Sequence, residues 1–170
     1  NTGGDLDPDH AFIHDSSTFT SVNIPNAEFA TLSNINNSGV AVGSYKLPKQ
    51  PYYGLVYANG QTTTLDYPSA SGTDIKGIND AGVMVGTYSD SNMNQHGFTY
   101  SDGSFQTLDR PGFDHTQISD INNNGEMLGY SYNNTSQGLT TAPSGVLYRN
   151  GQFEALPELS SGINDAGQIT

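Results

Sequence analysis

The sequence contains the same short phrase four times: an aliphatic residue, Asn, two small or polar residues, and Gly. The Asn residues of this phrase recur every 42 or 43 residues. A fixed period of this length is typical of tandem-repeat folds, in which each repeat buries its apolar face against its neighbours. The four copies are Ile35–Gly39, Ile78–Gly82, Ile121–Gly125 and Ile163–Gly167.

Around each phrase the sequence reads as four short β-strands. In the cleanest copy, strand-like segments at 96–100, 105–108, 118–121 and 127–132 are separated by Gly, Asn, Asp and Pro residues. Short apolar segments between such turn-forming residues indicate antiparallel β-structure. No segment carries the 3.6-residue apolar period of an amphipathic helix, so the sequence predicts an all-β fold.

A four-stranded unit of about 40–50 residues, repeated in tandem, is typical of a β-propeller blade. We therefore predict a propeller of four antiparallel blades of about 43 residues each, with the last blade incomplete. The repeats run over residues 10–52, 53–95, 96–143 and 144–170, and residues 1–9 form an N-terminal extension. A linear β-solenoid is the alternative, although its turns are usually shorter, at roughly 20–30 residues.

The recurring glycines predict particular backbone geometries. The Asn-x-x-Gly phrase joins two strands by a tight hairpin, in which Gly takes the left-handed conformation and Asn binds its own backbone. A second glycine lies in the following strand, in the pattern Val-Gly-x-Tyr, as at Gly86. Inside a strand, such a glycine indicates a bulge or the close approach of another backbone.

The combined pattern resembles the HAF-type extracellular repeats of bacteria. One copy reads Gly77–Gly82, Val85–Tyr88, His96-Gly97-Phe98 and Gly103–Pro111, and another contains His10-Ala11-Phe12. The resemblance extends from His10 to Thr170, although Tyr53 and Ser144 replace the signature His in two copies. It implies a secreted or surface-attached, propeller-like protein, and it supplies no catalytic residues.

The charge balance excludes some classes of partner. Seventeen Asp and Glu against five Lys and Arg give a formal net charge of −12. Nucleic acids and anionic membranes are bound through clustered Lys and Arg, so neither is expected as a partner. No apolar stretch approaches the roughly 20 residues that span a bilayer, and the chain has no Cys. These features are compatible with an extracellular or cell-surface protein.

The fourth copy stops early, because Gln168-Ile169-Thr170 only opens its last strand. An unpaired strand edge invites pairing with another chain. One expectation is therefore that copies associate through this edge into a homo-oligomer or polymer. The other is that the sequence is a piece of a longer protein.

Two segments carry oxygen-bearing side chains at alternate positions, as a calcium site requires. Ca²⁺ takes six to eight oxygen ligands, but neither segment has the Gly and distant Glu of an EF-hand loop, so solvated turns are the alternative. His10 and His96 occupy equivalent repeat positions and are assigned a structural role at a strand start. The candidate metal ligands are Asp5, Asp7, Asp9, Asp90, Asn92 and Asn94.

Loops that interrupt the repeat are expected at the rim of a propeller, where ligands bind. Exposed Tyr residues there can stack on sugar rings, although Tyr is also favoured in ordinary sheets. A hydrolase would need paired carboxylates such as Asp109 and Asp114 at a suitable distance, and no nucleophile-elbow or phosphate-loop motif is present. The rim candidates for ligand binding are Tyr52, Tyr53, Arg110, Asp114, His115 and Tyr132.

These observations predict a non-enzymatic extracellular repeat protein that acts as a structural or assembly unit. It has no assigned catalytic residues, and Ca²⁺ is the one cofactor considered. A carbohydrate- or matrix-binding module, with an extracellular glycan as partner, is the alternative. A secreted hydrolase is the third hypothesis.

Overall fold

The repeats fold into β-sheets. A computed structural model describes residues 11–135 and 140–170, and within these ranges it contains fourteen strands and no helix. The described part of the chain therefore has no helix that could cross a membrane. The predicted all-β fold is confirmed.

Three of the sheets contain four antiparallel strands, which follow one another in chain order. Sheet 1 consists of β3 (Phe29–Ile35), β4 (Ala41–Lys46), β5 (Tyr52–Ala58) and β6 (Gln61–Thr64). Sheet 2 consists of β7 (Gly72–Ile78), β8 (Met84–Ser89), β9 (Gln95–Ser101) and β10 (Ser104–Leu108). Sheet 3 consists of β11 (His115–Ile121), β12 (Met127–Tyr132), β13 (Ser144–Arg149) and β14 (Gln152–Ala155). A two-stranded sheet of β1 (Ala11–Asp15) and β2 (Thr18–Val22) precedes them.

Each four-stranded sheet takes its strands from two consecutive sequence repeats. Its first two strands flank an Asn-x-x-Gly turn, and its last two strands are the hairpin that opens the next repeat. The β1–β2 hairpin therefore corresponds to the last two strands of a sheet, which we call the outer pair. Residues 161–170, which are bridged at Ile163 and Ile169, correspond to the first two strands, which we call the inner pair.

The predicted set of four units with only the last one incomplete is thus corrected to three complete sheets and two half-sheets. The physical reason is that strands pair across the boundary between sequence repeats. The sequence period gives the length of the unit but not the point at which one sheet ends.

The second recurring glycine lies opposite a bulge. In sheet 2 the register between β7 and β8 shifts between Ile75 and Gly77, next to Gly86. A Cβ on Gly86 would collide with the carbonyl oxygen of Asp74 and lie 2.9 Å from the Cα of Ile75. The predicted close approach of another backbone is confirmed, and the bulge lies in the facing strand β7. The equivalent residues in the other sheets are Gly43 and Gly129.

The core lies between neighbouring sheets. Between sheets 1 and 2, Val42 of β4 packs in one cluster with Ile75, Ile78, Met84 and Phe98 of sheet 2. Burying each such side chain contributes about 1.5–3 kcal/mol, so these contacts hold consecutive sheets together. The corresponding cluster between sheets 2 and 3 consists of Val85, Ile118, Ile121 and Met127.

Candidate functional site

The four Asn-x-x-Gly turns are joined to one another by hydrogen bonds from each repeat to the next. In the second turn, the Oδ1 of Asn79 accepts a bond from the N–H of Val83 at 3.0 Å. The Nδ2 of the same side chain donates to the carbonyl oxygen of Asn122, in the next repeat, at 3.4 Å. Equivalent bonds run from Asn36 to Asn79 at 3.2 Å and from Asn122 to Asn164 at 3.0 Å. The recurring Asn therefore closes its own turn and also binds the neighbouring one.

A second series of bonds runs beside the first. The N–H groups of Asn37, Asp80 and Asn123 each donate at 2.8 Å to the side chain that follows the phrase Asn in the next repeat. The Asp80 carboxylate also accepts from the Nδ2 of Asn37 at 2.7 Å and of Asn123 at 2.9 Å. The bonds from Asn37, with a smaller contribution from Asn123, outweigh the effect of burial and lower the pKa of Asp80. We call these two series the asparagine ladder; its members are Asn36, Asn37, Asn79, Asp80, Asn122, Asn123, Asn164 and Asp165.

The turn geometry was predictable from the sequence. The glycines of the four phrases all have positive φ, between 73° and 81°, which L-residues with a Cβ rarely adopt. The sequence did not reveal the bonds to the next repeat, because nothing local indicates where the Nδ2 groups donate. The period of 42–43 residues was the only available signal, since bonding partners in the ladder are separated by one period.

A cleft of about 230 Å³ lies along the ladder, and it is the first candidate for a functional site. Asp120 projects its carboxylate among residues of three different repeats. Its Oδ2 accepts from the N–H of Ile163 at 2.9 Å, and its Oδ1 accepts from the Nδ2 of Asn34 at 3.5 Å. Asp120 thus connects sheets 1 and 3 and the inner pair, which is a structural role.

His96 contacts two carboxylates at the start of β9. Its Nδ1 lies 2.7 Å from the Oδ2 of Asp109, and its Nε2 lies 3.5 Å from the Oδ2 of Asp90. Burial by itself lowers the pKa of His96, but its bonds to Asp109 and Asp90 and their negative charge outweigh burial and raise it above 6.5. The ring also stacks on Tyr88, with a centroid distance of 4.9 Å. The predicted structural role of His96 agrees with these contacts, whereas His10 lies outside the described residues.

The predicted calcium ligands of the second segment close a turn. The Oδ1 of Asp90 accepts from the N–H groups of Asn92 at 2.8 Å and Asn94 at 2.9 Å, and its Oδ2 accepts from the Nδ2 of Asn94 at 3.0 Å. The chain's own donors therefore occupy this carboxylate. No metal-binding group of three His, Cys, Asp or Glu residues is found within residues 11–135 and 140–170. The other predicted ligands, Asp5, Asp7 and Asp9, lie outside the described residues.

Two of the rim candidates, His115 and Tyr132, meet at Gln95. The Nδ1 of His115 accepts from the N–H of Gln95 at 2.9 Å, and the hydroxyl of Tyr132 donates to the Oε1 of Gln95 at 2.7 Å. The two rings stack with a centroid distance of 4.4 Å. His115 is only 6% exposed, so its assignment to an exposed rim is corrected. It is a buried acceptor whose Nδ1 holds the start of β9.

The other aromatic candidates differ in how accessible their rings are. Tyr52 is 47% exposed and remains accessible at the start of β5. Tyr53 stacks on Tyr45 with a centroid distance of 5.3 Å. Tyr67, a further tyrosine in the segment that follows sheet 1, has one face covered by Tyr88 at a centroid distance of 3.6 Å. Of these residues, Tyr52 is the best placed to contact a ligand.

The charged candidates Arg110 and Asp114 form hydrogen bonds with residues at the two ends of the connection between β12 and β13. Arg110 donates from Nη1 to the Oγ of Ser144 at 3.1 Å and lies over the ring of Phe113 at 4.4 Å. The Oδ2 of Asp114 accepts from the N–H of Asn134 at 2.8 Å. Asp109 is bound to His96 instead, so the two carboxylates considered for a hydrolase have separate partners.

A polar cleft lined mainly by residues of sheet 2 was not predicted from the sequence. It has a volume of about 180 Å³, and its walls include Asp74, Thr87 and Gln95, with Tyr52 at its edge. Asp74 and Thr87 lie opposite each other across β7 and β8. Their sequence positions gave no signal, because isolated Asp and Thr residues in a strand are normally assigned to its exposed face.

A scan against protein-family models and a search of curated proteins both find no match. Among solved structures, the chain is similar to an arginine-to-alanine triple mutant of AofleA from Arthrobotrys oligospora. The identity is 15% and the TM-score is 0.47. The match covers 83% of this chain and 46% of the AofleA chain. A likeness at this level carries no argument about function.

Proposed function

We propose that this chain is a non-enzymatic structural repeat protein that associates with further copies through its half-sheets. In this proposal the three complete sheets are blades of a β-propeller. An extracellular location belongs to the same proposal and rests on the resemblance to HAF-type repeats.

The strand order supports blades over the coils of a solenoid. Strands within each complete sheet follow one another in chain order, as in a propeller blade. In a solenoid, each coil would instead contribute strands to several long sheets. The asparagine ladder connects consecutive sheets at the turns between their first two strands. Such contacts are expected where the blades of a propeller approach one another near its axis.

The exposure of the outer pair is the observation that carries the assembly proposal. Phe12 of β1 exposes 57% of its surface. Its counterparts in β5, β9 and β13 are Leu55, Phe98 and Val146, and none of them exposes more than 1%. Each counterpart lies in a strand that is paired on both edges, whereas β1 is paired only with β2 in the described structure. A phenylalanine exposed where the repeat buries its side chain indicates a missing neighbour.

A second exposed position lies across a groove from β1. Ile35 of β3 is 50% exposed, while its counterparts Ile78 and Ile121 are 4% and 5% exposed. Phe12 and Ile35 both line a groove of about 240 Å³. In the complete sheets, the space beside the corresponding isoleucine is occupied by the inner strands of the preceding sheet. The groove therefore has the position that an additional inner pair would fill.

The chain itself carries an inner pair, in residues 161–170, that is suited to this place. In sheet 2, Met84 lies opposite Tyr100 and Val85 lies opposite Thr99. In the repeat, Ile169 and Thr170 correspond to Met84 and Val85, while His14 and Ile13 correspond to Tyr100 and Thr99. The same register would therefore put Ile169 opposite His14 and Thr170 opposite Ile13. We infer that the inner pair of one copy docks beside β1 of a second copy, with main-chain bonds at the edge and apolar contacts in the groove.

Light scattering at several protein concentrations tests the proposal. The expected result is a mass that rises above 18.1 kDa with concentration, and Phe12→Ser is expected to reduce the rise because it weakens the apolar contact. Met93→Ser is the matched control, since Met93 is 69% exposed in a turn far from β1 along the chain. A monomer at all concentrations, or equal effects of the two substitutions, would contradict association through this edge.

The absence of enzymatic function is also part of the proposal. It is supported by the engagement of the candidate carboxylates, because Asp109 is bound to His96 and Asp114 to the backbone of Asn134. Hydrolysis of a glycan or ester substrate by the purified chain, abolished by Asp114→Asn, would contradict it.

A further inference from the structure

Two residues of sheet 2 that line the polar cleft each have a buried polar atom that lacks a partner. The Oδ1 of Asp74 and the Oγ1 of Thr87 are both buried, and neither has a hydrogen bond within the described residues. Thr87 is only 8% exposed and lines the cleft. An unpaired buried polar atom costs about 1–3 kcal/mol, and interiors rarely contain such atoms without a water, an ion or a ligand nearby. Two such residues, opposite each other in the strand register and lining one cleft, indicate that the cleft is built to hold something polar.

The carboxylate of Asp74 is fixed in place by a neighbouring cation. Its Oδ2 lies 2.6 Å from the Nζ of Lys76, whereas its Oδ1 has no partner within the described residues. With one carboxylate already paired to a lysine, the cleft has little net charge to attract a metal cation. It also offers no cationic side chain that is free to bind an anion. The ligand that suits this arrangement is neutral.

Gln95 of sheet 2 and Gln117 of sheet 3 add amide groups to the lining of the cleft, and a hydrogen-bond network sets the orientation of these groups. The Oε1 of Gln95 accepts from the hydroxyl of Tyr132 at 2.7 Å and from the Nε2 of Gln117. The Oε1 of Gln117 accepts from the hydroxyl of Tyr130 at 2.6 Å. Because its oxygen is engaged, Gln95 presents its Nε2 as a donor. Ser89 adds a hydroxyl beside it, in register with Gln95.

We propose that this cleft, which we call the Asp74–Thr87 cleft, binds one neutral sugar ring. Vicinal sugar hydroxyls both donate and accept, so they can satisfy a carboxylate oxygen, a threonine hydroxyl and an amide together. The volume of about 180 Å³ is below the roughly 300–1,000 Å³ of pockets for larger ligands. The exposed ring of Tyr52 at the edge provides an apolar surface for a sugar face. This proposal does not depend on assembly, because the cleft and β1 belong to different sheets.

Titration with methyl glycosides of glucose, galactose, mannose and N-acetylglucosamine, followed by ¹H–¹⁵N NMR, tests the site. At least one glycoside is expected to shift the side-chain amide signals of Gln95 and Gln117 saturably, with a Kd of about 1 mM or below. Thr87→Val and Asp74→Asn are each expected to weaken binding by roughly ten-fold, because Val lacks the hydroxyl and Asn replaces a charged acceptor by a weaker, neutral one.

Matched controls separate the site from general effects. Thr63→Val on the exposed strand β6 and Asp102→Asn in the β9–β10 turn change the same residue types away from the cleft, and both are expected to leave Kd unchanged. Thr87→Val should fold normally, because it replaces an unpaired hydroxyl by a methyl group of similar size; its urea midpoint verifies this. If no glycoside shifts these amide signals, or if binding survives both cleft substitutions, the proposal is overturned and the cleft holds water only.

Discussion

Asn122 is the residue at which the contribution of the asparagine ladder to stability can be measured most clearly. It is 3% exposed. Its Oδ1 accepts from the N–H groups of Asn124 at 3.0 Å and Glu126 at 2.9 Å. Its Nδ2 donates to the carbonyl oxygen of Asn164 at 3.0 Å and to the Oε2 of Glu126 at 2.7 Å. Asn122→Ala would remove all four bonds.

The expected loss follows from these bonds. Each typical hydrogen bond contributes about 0.5–1.5 kcal/mol net, and water can replace part of what is lost at Glu126. We therefore expect Asn122→Ala to lower the free energy of unfolding by about 2–4 kcal/mol. A loss of this size would unfold a substantial fraction of a marginally stable domain.

Asn164→Ala is the matched control. The Oδ1 of Asn164 accepts from the N–H groups of Ala166 and Gln168 in the same way, but its Nδ2 donates to Gln168 within its own turn. Because this turn is exposed, we expect a loss of only about 1 kcal/mol. Urea unfolding, with an unchanged dependence on denaturant concentration, measures both values. Equal losses for the two variants would refute the reasoning, since the bond to the next repeat would then contribute nothing.

Two further predictions concern His96 and Gly86. The pKa of His96 is raised in the folded state, so its stabilisation is complete below the unfolded value of about 6.5 and is lost as pH rises through the folded value. The urea midpoints of the wild type and His96→Gln should therefore differ most near pH 6 and converge towards pH 9; a difference that grows with pH would contradict this. Gly86→Ala should destabilise the fold by about 3 kcal/mol or more, because its Cβ would collide with a neighbouring backbone. Gly72→Ala should be nearly neutral in the same denaturation assay, since its Cβ would lie 3.6 Å from the nearest atom, and equal costs would rule out the collision.

The features that could be predicted from the sequence are those that depend on local geometry. Gly82 was assigned to the left-handed region and has a φ of 81°, because an Asn-x-x-Gly hairpin admits few other conformations. Gly86 was assigned to a bulge or a close approach; the close approach occurs, and the bulge lies in the strand that faces it. The all-β class followed from short apolar strands between turn-forming residues. Both signals can be read from neighbouring residues, so they require no knowledge of distant contacts.

The features that were missed depend on contacts between distant segments. His115 was assigned to an exposed rim, but it is buried because β11 brings it against the start of β9. The polar character of Asp74 and Thr87 gave no indication that both would line a cleft. The division into sheets was displaced by half a unit, because pairing of β4 with β5 crosses a boundary between sequence repeats.

A disulfide test addresses the central claim, which is that the inner pair of one copy docks beside β1 of another. The chain has no Cys, so introduced thiols have no competing partners. A copy carrying His14→Cys is mixed with a copy carrying Ile169→Cys and oxidised; the proposed register brings these two positions together across the interface. The account predicts a disulfide-linked heterodimer that forms faster than either homodimer. Rapid crosslinking within single copies of the double variant, without a heterodimer in the mixture, would contradict it and indicate that the half-sheets pair within one chain.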